Sequence, residues 1–133
     1  SLVHLQSFEE VIKALSNMNS LLQPSGKLFI QIVNYDRVLK EGITELPLIR
    51  RDPEKIAFKR TYTHKENKII FKGELIIDNQ TLVNEVPLLP ITKDELLNAL
   101  EKTGFSNITS FGSYSSEEFK LNSPAIIVIA TKK

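Results

Sequence analysis

The sequence predicts an α/β fold in which a helix covers a sheet and an antiparallel meander is inserted after the first strand. Three observations support this prediction. Apolar residues recur at helical spacing over residues 7–22, the run Lys27–Val33 is almost wholly apolar, and strand-like alternation fills most of residues 56–89. A continuous apolar run is typical of a buried strand in an α/β sheet, whereas alternation is typical of antiparallel strands. The 133 residues suffice for a single domain with its own core.

The first helix is expected over residues 7–22. Ser7 can cap its first turn, and Glu10, three residues later, completes a capping box. Pro24 and Gly26 then end the helix and turn the chain. The apolar stripe of this helix comprises Phe8, Val11, Ile12, Leu15, Met18 and Leu22.

The strand Lys27–Val33 runs directly into Asn34, Tyr35 and Asp36. Its apolar run predicts a strand buried on both faces, as in parallel sheets that helices cover. Ligands of open α/β sheets bind just beyond the carboxyl ends of strands, so Asn34 and Tyr35 are candidates for contact with a small molecule. Asparagine also favours strand-end turns for purely structural reasons. Asp36 is expected to cap a short helix over residues 37–40.

A three-stranded antiparallel lid is expected within residues 43–90. Its strands cover residues 56–64, 69–77 and 81–89, and turn residues separate them. The segment before residue 56 contains Pro47 and Pro53 and is expected to be a loop.

One face of the first lid strand carries Arg60, Tyr62 and His64 behind two apolar residues. The simplest interpretation of that face is a solvated outer surface. The alternative is that Arg60 and Tyr62 face a substrate. His64 lies beside a turn and is expected to be exposed.

The last third of the chain predicts one helix and two strands. The strands, near residues 107–114 and 125–131, are expected to form a hairpin beside Lys27–Val33.

Composition excludes several classes of function. The formal net charge is +1, which is too small to create an electrostatic field that attracts nucleic acid or a membrane surface. The chain has no cysteine, which excludes disulfides, thiolate nucleophiles and zinc–thiolate sites. No apolar run reaches membrane-spanning length, and no metal-ligand cluster is visible. These features are typical of a cytoplasmic protein that binds neither nucleic acid nor membrane.

The order of these motifs resembles the class I S-adenosylmethionine-dependent methyltransferases, whose sheet is Rossmann-like. Ser1-Leu2-Val3-His4-Leu5 is similar to the end of that family's N-S-x-x-H-L segment. Residues 23–28 resemble the turn into its fifth strand, residues 92–105 its last helix with the Gly-Phe exit, and residues 123–131 its final antiparallel strand. Asn34-Tyr35-Asp36, with Leu39 and Gly42, is most similar to the glycine and sarcosine N-methyltransferase subgroup.

The resemblance implies methyl transfer from S-adenosylmethionine to a small-molecule acceptor. It implies that the cofactor contacts Ser1, Leu2 and His4. The residues expected to contact the acceptor are Asn34, Tyr35, Arg60 and Tyr62. No catalytic residue is assigned, because alignment and desolvation of the acceptor provide most of the catalysis of this reaction.

The family's glycine-rich cofactor loop is missing from this sequence. The chain has five glycines, and no two are close enough to form a G-x-G motif. We therefore expect the chain to be the C-terminal half of a larger methyltransferase, inactive alone, with its missing N-terminal half as partner. Without the central strands, one face of the first helix should be exposed, which predicts self-association or marginal stability.

The sequence departs from the glycine-methylating subgroup at Val33. In that subgroup the matching position holds an arginine that binds the substrate carboxylate. Valine cannot replace a bidentate guanidinium. Glycine is therefore not the expected substrate.

Two alternatives to an enzyme remain open at this point. The missing glycine loop and the sheet edge left by an absent fourth strand favour a non-enzymatic α+β interaction or dimerisation module. A degenerate methyltransferase scaffold that binds no cofactor is the other alternative. The sequence upstream of residue 1 would discriminate between them.

Overall fold

The computed structural model describes residues 2–113, 115 and 117–133. A short 3₁₀ helix, Leu2–His4, opens the described chain. The α-helices are α1 (Phe8–Leu21), α2 (Tyr35–Glu41) and α3 (Lys93–Lys102). The strands are β1 (Lys27–Val33), β2 (Ile49–Arg51), β3 (Ile56–Lys65), β4 (Lys68–Ile77), β5 (Gln80–Leu88), β6 (Phe105–Phe111) and β7 (Ala125–Lys132). In the described residues, no helix combines the length and apolarity that crossing a membrane requires.

The strands form two sheets. The first has the order β1-β7-β6, and both of its pairings are antiparallel. It confirms the predicted hairpin of the last two strands beside β1, although β6 ends at Phe111 and the predicted end at Tyr114 lies outside the described residues. The second sheet, which we call the lid, has the order β2-β3-β4-β5 and is also antiparallel.

The prediction that β1 is buried on both faces is wrong for this chain. Ile30 and Ile32 are buried, whereas Phe29 is 53% and Val33 40% exposed on the opposite face. The core that contains Ile30 and Ile32 also contains the buried residues of α1 and α3. Because both helices pack on the same side of β1, its other face lies toward solvent. The described pairing of β1 is antiparallel, with β7 alone.

The expected exposure of the apolar stripe of the first helix is wrong for most of the stripe. Only Phe8 at its start is exposed, at 37%, together with Leu21, at 86%, which lies outside the stripe. Val11 and Leu15 of α1 are fully buried, because the helix packs its stripe onto the sheet and α3. Ser7 caps α1 as predicted, since its Oγ accepts from the Glu10 N–H. The Glu10 carboxylate accepts instead from the Gln6 N–H at 2.7 Å, so the box closes one residue earlier than predicted.

Asn34, and not Asp36, caps the short helix α2. Its Oδ1 accepts from the Arg37 N–H at 3.3 Å, and α2 begins at Tyr35 instead of residue 37. Asp36 lies within the first turn, and its Oδ2 accepts from the Lys93 N–H at 2.9 Å. The predicted cap was wrong because both residues have good capping side chains, and a contact distant in sequence selects between them. Asp36 thus ties α2 to the start of α3.

The lid has four strands where three were predicted. The additional strand β2 lies in the segment expected to be a loop and pairs with β3. Glu45 forms a further isolated bridge to Thr61 on the same edge. A three-residue strand leaves no pattern in the sequence, because the edge of β3 supplies its pairing. Pro87 lies inside β5 and is tolerated there because β5 is an edge strand.

Candidate functional site

A cavity of about 890 Å³ lies at the carboxyl end of β1, between α2 and the lid. This volume is in the range of small-molecule sites, and the position is where ligands of α/β sheets bind. The walls come from the 3₁₀ helix, the end of β1, α2, the segment before β2, and β3–β5. They comprise Val3, His4, Val33, Asn34, Tyr35, Arg37, Val38, Ile43, Glu45, Leu46, Pro47, Arg60, Tyr62, Phe71, Asn84, Val86, Leu88 and Pro124.

Most of the predicted site residues meet in this cavity. The lining includes His4, Asn34, Tyr35, Arg60 and Tyr62, which come from three separate segments of the chain. Leu2, predicted to contact the cofactor, is buried in the core and does not appear in the lining. Ser1, predicted with it, lies outside the described residues. Contact of these residues with a cofactor or an acceptor stays a prediction.

The inner face of the lid is the face that was expected to be solvated. Tyr62 is 6% exposed, and its ring packs on Phe71 with centroids 5.8 Å apart at 55°. Arg60 and Phe58, on the same face of β3, are half-buried. The prediction of a solvated face was wrong because alternation defines two faces without saying which one turns inward. His64, at the strand end, is exposed as predicted.

Two buried tyrosines provide neutral hydroxyl groups in the cavity. Burial raises the pKa of Tyr35 above its ordinary value of 10.0, and the neighbouring Tyr62 raises it further. Burial also raises the pKa of Tyr62, although the nearby Arg60 guanidinium acts in the opposite direction. Both phenols therefore keep their protons at neutral pH and can donate hydrogen bonds to a ligand.

The raised pKa of Tyr35 predicts a loss of stability in alkali. Above pH 10 the unfolded chain releases this proton while the folded chain keeps it, so stability falls as pH rises. The loss per group approaches about 1.4 kcal/mol per pH unit. We expect Tyr35→Phe to lose less stability than the unaltered chain between about pH 10 and pH 11. Urea unfolding at both pH values and at pH 8 measures this. Equal losses in the two proteins would contradict it.

Arg60 brings an uncompensated positive charge to the cavity. Its Nη2 donates to the Pro47 carbonyl at 3.1 Å. Its Nε is buried and has no hydrogen-bond partner within the described residues. No carboxylate of the described chain lies within 4.0 Å of Arg60, whereas Arg37, which also lines the cavity, is paired with Glu41 at 2.9 Å.

Asn34 is held by structural hydrogen bonds although it borders the cavity. The side chain is 2% exposed. Its Nδ2 donates to the carbonyls of Leu121 at 2.9 Å and Ser123 at 2.8 Å, which occupies both of its hydrogens. Its Oδ1 caps α2. The residue therefore positions the segment before β7 and the start of α2. Only the second lone pair of Oδ1 remains to accept a hydrogen bond from a substrate.

Three polar residues of the lining were not predicted from the sequence, namely Arg37, Glu45 and Asn84. Asn84 had a detectable signal, because the alternation of β5 places it on the same face as Val86, which also lines the cavity. Glu45 had none, since it lies in a segment that was expected to be a loop.

No family model matches the chain. The glycine/sarcosine N-methyltransferase of Aphanothece halophytica is 25% identical over 142 residues, which cover 100% of this chain and 48% of that protein. The chain thus spans about half the length of the curated relative it matches.

Solved methyltransferase structures share the fold. An S-adenosylmethionine-dependent methyltransferase from Clostridium acetobutylicum matches 99% of this chain and 55% of its own, with a TM-score of 0.81 and 11% identity. CcbJ from Streptomyces caelestis matches 99% and 57%, with a TM-score of 0.84 and 12% identity. CalS10 from Micromonospora echinaspora, an amino pentose methyltransferase solved with S-adenosylmethionine bound, matches 99% and 54%, with a TM-score of 0.71 and 14% identity. The predicted resemblance and the Rossmann-like α/β fold are confirmed.

Proposed function

We propose that this chain is the acceptor-binding half of an S-adenosylmethionine-dependent methyltransferase that acts on a small molecule. The observation that carries the proposal is the cavity at the carboxyl end of β1, where three separate segments of the chain bring the predicted site residues together. Its position corresponds to the ligand site of α/β sheets, and the shared fold makes methyl transfer the favoured chemistry. The chain spans 48% of the length of the curated relative, and this partial coverage supports an upstream half as its partner.

The residues present fit one side of the cofactor. His4 and Val3 line the cavity beside the end of β1 and would contact it there. The five glycines of the chain provide no closely spaced pair for its amino acid and ribose portions, which an upstream segment would hold. When bound, S-adenosylmethionine supplies an electrophilic methyl group carried on a sulfonium.

The chain itself would bind, orient and dehydrate the acceptor. Phe71, Val86 and Leu88 form an apolar wall that excludes water from the acceptor. The neutral hydroxyls of Tyr35 and Tyr62 can fix its orientation through hydrogen bonds. Alignment of this kind provides much of the rate acceleration of a transfer between two bound groups.

Calorimetric titration of S-adenosylhomocysteine tests the proposal. We expect saturable binding by the longest product of the gene and none by this 133-residue chain. In the longer product, His4→Ala should weaken binding about tenfold, since about 1.4 kcal/mol of contact is lost. Lys65→Ala is the control, because Lys65 is exposed and outside the cavity lining. His64 is unsuitable, since its Nε2 lies 2.6 Å from the carbonyl oxygen of Ile43, a residue of the lining. A folded longer product that binds nothing would overturn the proposal.

An interaction module is the second candidate function. The observation that favours it is the outer face of the edge strand β1, where Phe29 is 53% exposed. Edge strands with an apolar face invite pairing with another chain. Self-association in sedimentation, together with absence of S-adenosylhomocysteine binding by the longer product, would favour this candidate over the enzyme.

A further inference from the structure

We infer that the lid carries an anion subsite formed by Arg60 and Asn84, and that the acceptor carries a carboxylate which binds there. The assignment to an acceptor rests on the proposed function. The subsite itself rests only on the lid and on the cavity that it covers.

The strand register places the two side chains on one row of the lid. Arg60 of β3 lies opposite Gly73 of β4, and Gly73 lies opposite Asn84 of β5. Partners across antiparallel strands share a face, and neighbouring strands are about 4.8 Å apart, so the two Cα atoms are separated by about 10 Å. Both side chains line the same cavity. A ligand group between them is within reach of a long guanidinium and a short amide.

Gly73 keeps the middle of this row clear of a β4 side chain. A Cβ on Gly73 would lie 3.2 Å from Cζ of Phe58 and 3.5 Å from Cε1 of Phe71. The tips of these two rings therefore occupy the surface between Arg60 and Asn84. An anion bound above this floor would have apolar ring atoms beneath it and would lie beside Asn84, which is exposed.

Arg60 has unused capacity to bind an anion. Its Nε is buried without a partner in the described part of the chain, and the Pro47 carbonyl fixes its Nη2. A buried donor without an acceptor is destabilising. Because Nε is buried, a ligand that enters the cavity would meet the terminal nitrogens of the guanidinium first, and would satisfy Nε only after a shift of the side chain. Arg37 makes the contrast clear: it lines the same cavity, but its charge is already compensated by Glu41. Among the residues that the structure describes, Arg60 is therefore the cation of this cavity that is available to a ligand.

The charge of the subsite matches a carboxylate better than a phosphate. Arg60 contributes one positive charge, whereas Asn84 is neutral and the raised pKa of Tyr62 keeps its phenol protonated. Glu45 contributes a carboxylate to the same cavity. With Glu45 counted, a bound carboxylate leaves one negative charge uncompensated, whereas a phosphate dianion leaves two. A planar carboxylate matches the single charge and the fork geometry of the guanidinium.

Titration followed by ¹⁵N NMR tests the subsite without requiring methyl transfer. Sodium acetate and inorganic phosphate are added separately to this chain and to the longest product of its gene, with sodium chloride balancing the ionic strength. The Arg60 Nε–H and Asn84 Nδ2–H signals are followed. We expect acetate to shift both signals saturably, and phosphate to bind more weakly. Arg60→Gln should raise the acetate Kd about tenfold or more, as expected for loss of a charge-assisted hydrogen bond.

The control variant is Arg50→Gln, since Arg50 lies on the same sheet but is exposed and ion-paired with Asp52. It should leave the acetate Kd unchanged, and Arg60→Lys should fall between the two. Shifts that do not saturate, or an Arg60→Gln protein that binds acetate normally while its other signals stay in place, would overturn the subsite. Tighter binding of phosphate would overturn the carboxylate assignment. If the longest gene product binds S-adenosylhomocysteine but not acetate, only this inference is refuted. If it binds acetate but not S-adenosylhomocysteine, the proposed function is refuted.

Discussion

Replacing Phe105 by alanine is expected to lower the free energy of unfolding by about 3–5 kcal/mol. Phe105 begins β6 directly after Gly104 and is 0% exposed. It belongs to the core cluster that also contains Leu15 of α1 and Leu100 of α3. Truncation removes the transfer energy of the ring and leaves a cavity that rigid neighbours fill only in part. Because domains of this size are stable by only about 5–15 kcal/mol, the variant should lose much of its stability.

Urea unfolding monitored by far-UV circular dichroism measures this loss, and Phe29→Ala is the matched control. Phe29 is 53% exposed on the outer face of β1, so in this chain its truncation should cost about 1 kcal/mol or less. In the longest gene product the cost of Phe29→Ala should rise if the upstream half covers that face. Equal losses for the two substitutions in this chain would show that the helices do not confine the core to one side of β1.

Asn34→Ala is expected to lower the free energy of unfolding by about 3 kcal/mol. The substitution removes both donors from the carbonyls of Leu121 and Ser123, and removes the acceptor for the Arg37 N–H. Each buried polar group left without a partner costs about 1–3 kcal/mol, and a lost helix cap costs about 1 kcal/mol. Several segments depend on this one side chain, so the loss should exceed that of an ordinary polar truncation.

Thermal and urea unfolding measure the effect, with Asn122→Ala as control because Asn122 is exposed in the segment that Asn34 holds. Asn34→Asp separates the two roles of the amide. It keeps an acceptor for Arg37 but places a carboxylate against two carbonyl oxygens, so it should destabilise the neutral-pH fold at least as much as alanine. A stability within 0.5 kcal/mol of the unaltered chain for Asn34→Ala, about the scatter of neutral surface changes, would refute the structural role. It would leave the amide available to an acceptor.

Local patterns predicted the elements whose signals lie close together in sequence. The stripe of α1 and its Ser7 cap need only one helix, and the long strands of the lid need only alternation and turns. The cap of α2 could not be predicted in this way. Asn34 and Asp36 have equivalent capping chemistry, and bonds to residues 121, 123 and 93 decided their roles.

The candidate site could be predicted where the resemblance to the methyltransferase family assigned residues to it. His4, Asn34 and Tyr35 were placed by motif, and the structure brings them to one cavity with Arg60 and Tyr62. The orientation of the lid was not predictable, because Tyr62 and Lys59 lie on opposite faces of a strand that either surface could have buried. Alternation places Asn84 on the same face of β5 as Val86, but only the strand register aligns it with Gly73 on the neighbouring strand and with Arg60 on the strand beyond.

The sequence by itself determined the α/β class, the positions of α1, β1 and the long lid strands, and the family resemblance. These properties depend on spacing within one segment. The tertiary structure alone decided that β1 buries one face, that β2 joins the lid, and that the Arg60 row of the lid faces the cavity. The physical reason is that burial, strand pairing and charge compensation are set by partners distant in sequence, and alternation within a segment does not specify them.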